Sequence, residues 1–186
     1  EYGIDLEKDK VNIAPVPGAF TGKNVNFGVT AARALQDGKI DGFWANGMGA
    51  EVAVKSGAGT LVIDARRGDG PASAFNYTMP ALITSKRLID SQPDVCAAAI
   101  RALVKTQKAL KEDVSLATKV GRKRFPAEEA ELIAGIIQRD LPFYNAAITP
   151  DFVSGMSSFS QAMGLIDGPV SFEEAVATQY SDLWVQ

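Results

Sequence analysis

The residues best placed to do chemistry lie in one short segment, residues 40–54 (IDGFWANGMGAEVAV), which contains a Gly-x-Gly turn. Main-chain N–H groups exposed at such a turn suit an anionic or carbonyl group, because unpaired amides at a helix start carry partial positive charge. Asn46 places a polar side chain directly before the turn, and Trp44 offers a ring for stacking, with a core ring as its alternative role. The segment predicts a ligand site at Trp44, Asn46, Gly47 and Met48.

A dinucleotide-binding turn is the alternative interpretation of this glycine pair. In its favour, Gly47 and Gly49 follow a predicted strand, and Asp64 ends the next strand, where an acid would meet a ribose. Against it, Val52 occupies the third glycine position, and Gly57 ends the following helix early, whereas a βαβ unit usually needs roughly 30 residues. A Walker-type phosphate loop is excluded, since no Gly-Lys-Ser/Thr follows. A Rossmann-like nucleotide-binding domain of an enzyme therefore stays as the second hypothesis.

The composition excludes several classes of catalytic site. Of the 186 residues none is histidine, which removes Ser-His-Asp and Cys-His catalysis. The single cysteine, Cys96, cannot form an internal disulfide or a cysteine-rich metal site, and its apolar surroundings in the sequence predict a buried hydrophobe. The carboxylates of residues 128–131 and 173–174 fall at predicted helix starts, where they complement the helix dipole. We therefore expect no catalytic residues, no cofactor, no metal and no enzymatic activity.

Charge and hydropathy narrow the possible partners. The net charge of −3 argues against nucleic acid, because phosphate binding needs a basic face. No apolar run approaches the roughly 20 residues that a membrane helix needs. These two features favour a small-molecule ligand over nucleic acid or a bilayer.

The elements that would position the site alternate between strands and helices in the first part of the chain. Four segments have the apolar pattern of strands: residues 11–16, 40–44, 60–64 and 77–84. Helix patterns at residues 26–36 and 50–55 separate them. This order predicts an α/β fold with a mostly parallel sheet. Since ligands bind beyond the carboxyl ends of such strands, the site would lie where strand 40–44 ends.

The rest of the chain is predicted to be helical. Helix patterns cover residues 85–90, 93–110, 114–125, 127–139 and 149–163. Pro93 suits the first position of the longest of these helices. Ser171 and Glu174 have the spacing of a capping box at a final helix.

Residues 34–42 (ALQDGKIDG) resemble the A-L-x-x-G-x-[IV]-D-[AG] signature of periplasmic substrate-binding proteins of ABC importers. The nitrate/sulfonate/taurine and thiamine-pyrimidine-precursor binders are the most similar group. The order of residues 60–64, 80–85 and 93–95 is similar to the return into the first lobe of these proteins. Residues 164–167 (GLID), before a final helix, are similar to the C-terminal end of the family. The resemblance covers nearly the whole chain.

The resemblance implies a type II periplasmic binding fold, with two α/β lobes that close over a ligand, here lacking its N-terminal part. Residues 1–65 would be the later part of lobe two, residues 66–76 an inter-lobe linker, and residues 77–186 the later, mostly helical part of lobe one. Tyr77, at the start of a returning strand, would be a further ligand contact. The implied partners are an inner-membrane ABC permease and the missing N-terminal segment of the same protein. The implied location is the periplasm, with the signal peptide outside this chain.

One departure from the family bears on the ligand. Many sulfonate binders carry Trp-Asp/Glu-Pro-Tyr where this chain has residues 46–49 (NGMG), so the ring and the acid are missing. We therefore expect a small polar or planar organic molecule or anion rather than a sulfonate. Pyrimidine-precursor synthases share the implied fold but use histidine and iron, and they form a further alternative that the lack of histidine disfavours. A plain structural or interaction domain is the remaining hypothesis.

Overall fold

The computed structural model describes residues 3–19, 26–67, 69–70 and 81–185. Its regular elements are helices: α1 Phe27–Gln36, α2 Gly47–Lys55, α3 Lys86–Ser91, α4 Pro93–Glu112, α5 Ser115–Gly121, α6 Ala127–Asp140, α7 Pro150–Ala162 and α8 Phe172–Ala175. Short 3-10 turns occur at Ala65–Arg67, Leu141–Phe143 and Thr178–Leu183.

The predicted α/β fold with mostly parallel sheets is wrong, because the part of the chain that the structure describes contains no β-strand. Residues 11–16, 40–44 and 60–64 form neither helix nor strand, and neither do residues 81–84. The first residues of the predicted strand 77–84 lie outside the described residues. An apolar, β-branched pattern records only a preference for pleated surfaces, whereas a strand exists only when a neighbour completes its hydrogen-bond ladder. The expected type II periplasmic binding fold is therefore wrong as well, because that fold is built on such sheets.

The predicted helix ends agree better with the structure than the predicted strands do, because they depend on local chemistry. The helix predicted for residues 26–36 begins one residue later, at Phe27, because Asn26 is its cap: the Asn26 side-chain oxygen accepts from the N–H groups of Gly28 and Val29. Pro93 occupies the first turn of α4. The capping box before α8 is confirmed in both directions: Ser171 accepts from the Glu174 N–H, and the Glu174 carboxylate accepts from the Ser171 N–H.

The chain divides into two compact units. The first comprises Glu1–Asp64 and Ala117–Gln138, and the second Ala65–Leu116 and Arg139–Gln186. Most of the predicted inter-lobe linker, residues 66–76, lies outside the described residues. The lobe boundaries therefore remain predictions.

In the first unit, α1 packs against α2. The buried side chains of these two helices are mostly small: Val29, Ala31, Ala32 and Ala34 on α1, and Ala53 on α2. Small side chains let two helix backbones approach closely, and this approach shapes the candidate site.

In the second unit, the C-terminal 3-10 turn packs against α4. Tyr180 is buried there and donates a hydrogen bond from its phenol to the Pro93 carbonyl, at 3.3 Å. Cys96 is also buried, at 6% exposure, which confirms its prediction as a small interior residue. Burial raises the pKa of the Tyr180 phenol, and the nearby Cys96 thiol adds to the rise.

Candidate functional site

The candidate site lies where the first turns of α1 and α2 cross. Gly28 and Gly49 are both buried at this crossing. A Cβ on Gly28 would lie 2.9 Å from the Gly49 Cα, and a Cβ on Gly49 would lie 2.7 Å from the Gly28 Cα. No real side chain fits at such distances, so the two glycines permit backbone-to-backbone contact between the helix starts.

Each of the two helices begins with an asparagine cap. Asn46 Oδ1 accepts from the Gly49 N–H at 3.3 Å, and Asn26 Oδ1 accepts from the Gly28 N–H at 3.0 Å. Asn46 Oδ1 also lies beside α1, since a Cβ on Gly28 would be only 2.8 Å from it. The crossing therefore brings the cap of α2 next to the first turn of α1.

Several donors at this crossing keep no acceptor within the described residues. They are the main-chain N–H groups of Phe27, Gly47 and Met48, which occupy the first positions of their helices. The Asn46 side-chain amide also has hydrogen atoms to donate, because its cap bond uses only the oxygen. A helix start carries partial positive charge from its unpaired amides, and here two starts meet.

The charges around the crossing do not oppose an anionic ligand. Neither α1 nor α2 has an acidic residue in its first turn. The first carboxylate along α2, Glu51, pairs with Lys55 at 3.5 Å on the following turn. A ligand oxygen at the helix starts would therefore meet donors rather than a competing carboxylate.

Two aromatic rings flank the crossing in sequence and are exposed. Trp44, two residues before the α2 cap, is 77% exposed, so the alternative of a core ring is wrong. Phe27, the first residue of α1, is 58% exposed. Both rings provide apolar faces on which a planar ligand could stack.

The structure places the predicted site residues in a different context from the one expected. The helix begins at Gly47 rather than at residue 50, so Gly47 and Met48 form its first turn instead of a loop beyond a strand. Asn46 is the cap of that helix rather than a side chain at a strand end. Tyr77 lies outside the described residues.

Sequence reasoning missed the contribution of α1 to this site. Asn26, Phe27 and Gly28 lie at the crossing, but they were assigned only to the start of a helix. The available signal was the similarity of the two helix starts, where an asparagine is followed closely by a buried glycine at Asn26-x-Gly28 and at Asn46-x-x-Gly49.

The crossing also explains the second glycine of the pair, Gly49, without a nucleotide. Gly49 is buried against Gly28, which accounts for its lack of a side chain. The strand that should precede a Rossmann-like turn is absent from the described residues, and so is the strand that should end at Asp64. The strand-turn-helix context of the dinucleotide hypothesis is therefore missing.

The described residues contain no group of three or more metal-ligating side chains that could hold a metal ion. Within the same residues, no helix combines the length and apolar composition needed to cross a bilayer. A scan against models of protein families, a search of curated proteins and a search of solved structures each found no match.

Proposed function

We propose that this chain binds a small polar or planar organic molecule or anion, as the solute-binding component of an ABC import system. The observation that carries the proposal is the crossing of two asparagine-capped helix starts at Gly28 and Gly49. Several N–H groups there are without acceptors among the described residues.

The hydrogen-bond donors at the crossing favour ligands that carry acceptor groups. The main-chain amides of Gly47 and Met48 and the side-chain amide of Asn46 can all donate, whereas the Asn46 oxygen already accepts one hydrogen bond, from its cap. Hydrogen bonds of such donors are strongest to charged acceptors, and two helix dipoles favour negative charge at the same place. A carboxylate, an oxyanion or a conjugated carbonyl group fits these donors, and the exposed Trp44 ring adds a face for a planar ligand.

The transport role rests on the resemblance of residues 34–42 to the substrate-binding proteins of importers. The same resemblance implies a periplasmic location, an inner-membrane permease as partner and a preceding segment of the same protein. A gene neighbourhood that encodes an ATPase and a permease would support this part of the proposal, and its absence would argue for a binding protein of another kind.

Thermal unfolding in the presence of candidate ligands tests the binding proposal. The ligand panel contains pyrimidines, amino acids, sulfonates and inorganic oxyanions, with NAD and ATP as rivals. A ligand that binds only the folded state stabilises it by about 2.7 kcal/mol at a concentration one hundred times Kd. We expect at least one acceptor-bearing small molecule to raise Tm.

The variant Asn46→Asp separates ligand binding from helix capping. Aspartate keeps the capping oxygen, since Asp and Asn are comparable caps, but it removes the N–H donors and places a negative charge at the site. The matched control is Asn145→Asp, which makes the same change at a turn in the second unit, where Asn145 accepts from the Ala147 N–H. We expect the control to keep the ligand-induced shift and Asn46→Asp to lose it.

Three outcomes would contradict the proposal: no shift with any ligand, an equal shift in Asn46→Asp, or a shift with NAD or ATP alone. The last result would support the nucleotide-binding alternative instead.

A further inference from the structure

A groove in the second unit runs between α7 and the segment that leads into α8. It has a volume of about 240 Å³. One wall is the side of α7 that carries Val153, Ser157 and Gln161, and the other is formed by residues 169–172. The groove belongs to a different unit from the crossing of α1 and α2 and shares no residue with it.

Hydrogen bonds hold the two walls of the groove in place. Ser157 is buried at 8% exposure, and its hydroxyl oxygen accepts from the Val170 N–H at 3.0 Å. This bond ties the middle of α7 to the opposite wall. Ser171 on that wall is held by its capping box with Glu174, in which the hydroxyl lies 2.8 Å from the carboxylate. The groove is therefore preformed rather than dependent on a ligand to assemble it.

Several polar side chains of α7 line the groove and make no hydrogen bond to the described residues. Ser154, Ser158 and Gln161 line it at helical spacing, which places them on the same side of the helix. Their side chains have no hydrogen-bond partner within the described residues. A hydroxyl both donates and accepts, and so does a primary amide, so this row can match neighbouring hydroxyl groups on a ligand.

Apart from Ser157 and Ser171, the remaining lining is apolar. Val153, Val170 and Phe172 provide carbon surface, together with the rings of Pro150 and Pro169. The described residues that line the groove include no Asp, Glu, Lys or Arg. A charged ligand would lose more hydration free energy there than a neutral one, and it would gain no counter-ion.

We propose that this groove binds a small, uncharged, polyhydroxylated molecule of one ring, such as a monosaccharide. Its hydroxyls bond to Ser154, Ser158 and Gln161, and its C–H face packs on the valine, proline and phenylalanine surface. The size limit follows from the volume, because pockets for drug-sized ligands span roughly 300–1,000 Å³ and this groove is smaller.

Saturation-transfer NMR on the whole chain tests the assignment, with glucose as the neutral probe and glucuronate and glucosamine as its charged counterparts. We expect transfer to glucose and much weaker transfer to both charged sugars. The double variant Ser154→Ala with Ser158→Ala should weaken glucose binding by about tenfold, the combined effect of two ordinary hydrogen bonds.

The matched control is Ser160→Ala, which makes the same change on α7 at a residue outside the groove lining. It should bind glucose as the wild type does, and so should Asn46→Asp, which keeps this test independent of the proposed function. Alanine favours helix, so the variants should keep their circular dichroism. The proposal is overturned by absence of transfer to glucose, by equal transfer to all three sugars, or by unchanged affinity in the double variant.

Discussion

At the scale of single residues, Gly28 and Gly49 do the most to shape the candidate site. Their contact lets α1 and α2 start side by side, which brings the Asn46 cap next to α1. A phosphate-binding loop also contains glycines, but there they let the backbone approach a ligand. Here they let one helix approach another, so the contact of Gly28 with Gly49 places the free N–H groups of the α2 start beside α1.

Adding a methyl group at this crossing should destabilise the first unit. We expect Gly28→Ala or Gly49→Ala to lower the free energy of unfolding by about 1–3 kcal/mol, because backbone atoms cannot move aside as a flexible side chain can. Gly135→Ala is the matched control, since Gly135 lies inside α6 and its added Cβ would meet nothing within 4 Å. It should stabilise the protein by roughly 0.5–1 kcal/mol, the usual gain for alanine over glycine in a helix.

Urea denaturation measures these changes as shifts of the midpoint at constant slope. If Gly49→Ala and Gly135→Ala shift the midpoint in the same direction, the close approach of α1 and α2 is wrong.

A second prediction at the residue scale concerns Glu174. Hydrogen bonds from the Ser171 backbone and side chain lower the pKa of the Glu174 carboxyl below its usual value. The capping box therefore contributes its full stability above the ordinary pKa of glutamate. That contribution is lost as the pH falls through the lowered pKa of the folded state.

An NMR titration that follows the Ser171 amide should show a midpoint below that of an unpaired glutamate. The variant Ser171→Ala removes the hydroxyl and should move the Glu174 midpoint upward. It should also destabilise α8 by about 1 kcal/mol, the typical value of a serine cap. A Glu174 midpoint that is unchanged between wild type and variant would contradict the capping box.

At the scale of elements, the helices followed their local signals and the predicted strands did not form. The segment 60–64 shows the difference most clearly. The side chains of residues 61–63 are apolar, yet Val62 is 86% exposed and Leu61 45%, and these three residues make no backbone hydrogen bond to another described residue. Asp64, at its end, is buried. The segment is therefore anchored at one end, with its apolar side chains exposed to solvent.

Hydrogen exchange should separate this segment from the helices. We expect the amides of residues 61–63 to exchange rapidly, because none is hydrogen-bonded within the described residues, and the amides of Ala31 and Ala32 in α1 to exchange slowly. Mass spectrometry of short peptides from the native protein measures both regions in one experiment. Protection of residues 61–63 equal to that of α1 would mean that the segment pairs in a sheet.

At the scale of the whole molecule, the chain consists of two units, and each carries one of the proposed sites. The first unit holds the donor-rich crossing, which suits an acceptor or anion, and the second holds the uncharged serine groove. The two proposals are therefore tested by ligands of different charge and by variants in different units.

Far-ultraviolet circular dichroism tests the architecture as a whole. We expect a spectrum dominated by the double minimum of α-helix, since helices account for the regular structure of the described residues. This helical signal should fall on heating, as the helices are lost. A spectrum with a strong strand component would contradict the helical fold.

Features that depend on a few neighbouring residues could be read from the amino-acid sequence alone. The cap at Ser171, Pro93 at a first turn and Cys96 as an interior residue were all predicted, because capping, proline geometry and local hydrophobicity act within about one helical turn. The donors at Gly47 and Met48 were predictable for a similar reason, since a helix start leaves its first amides unpaired wherever it occurs.

Only the tertiary structure decided between a sheet and its absence, and between the two roles of Gly49. The strand patterns lie at residues 11–16, 40–44 and 60–64. Each would need a neighbouring strand to form a hydrogen-bond ladder, and a local pattern does not show whether such a neighbour exists. The meeting of Gly28 with Gly49 is likewise a contact between helices that are separate in the sequence. Its physical basis is the close fit of two backbones, which depends on how α1 and α2 pack.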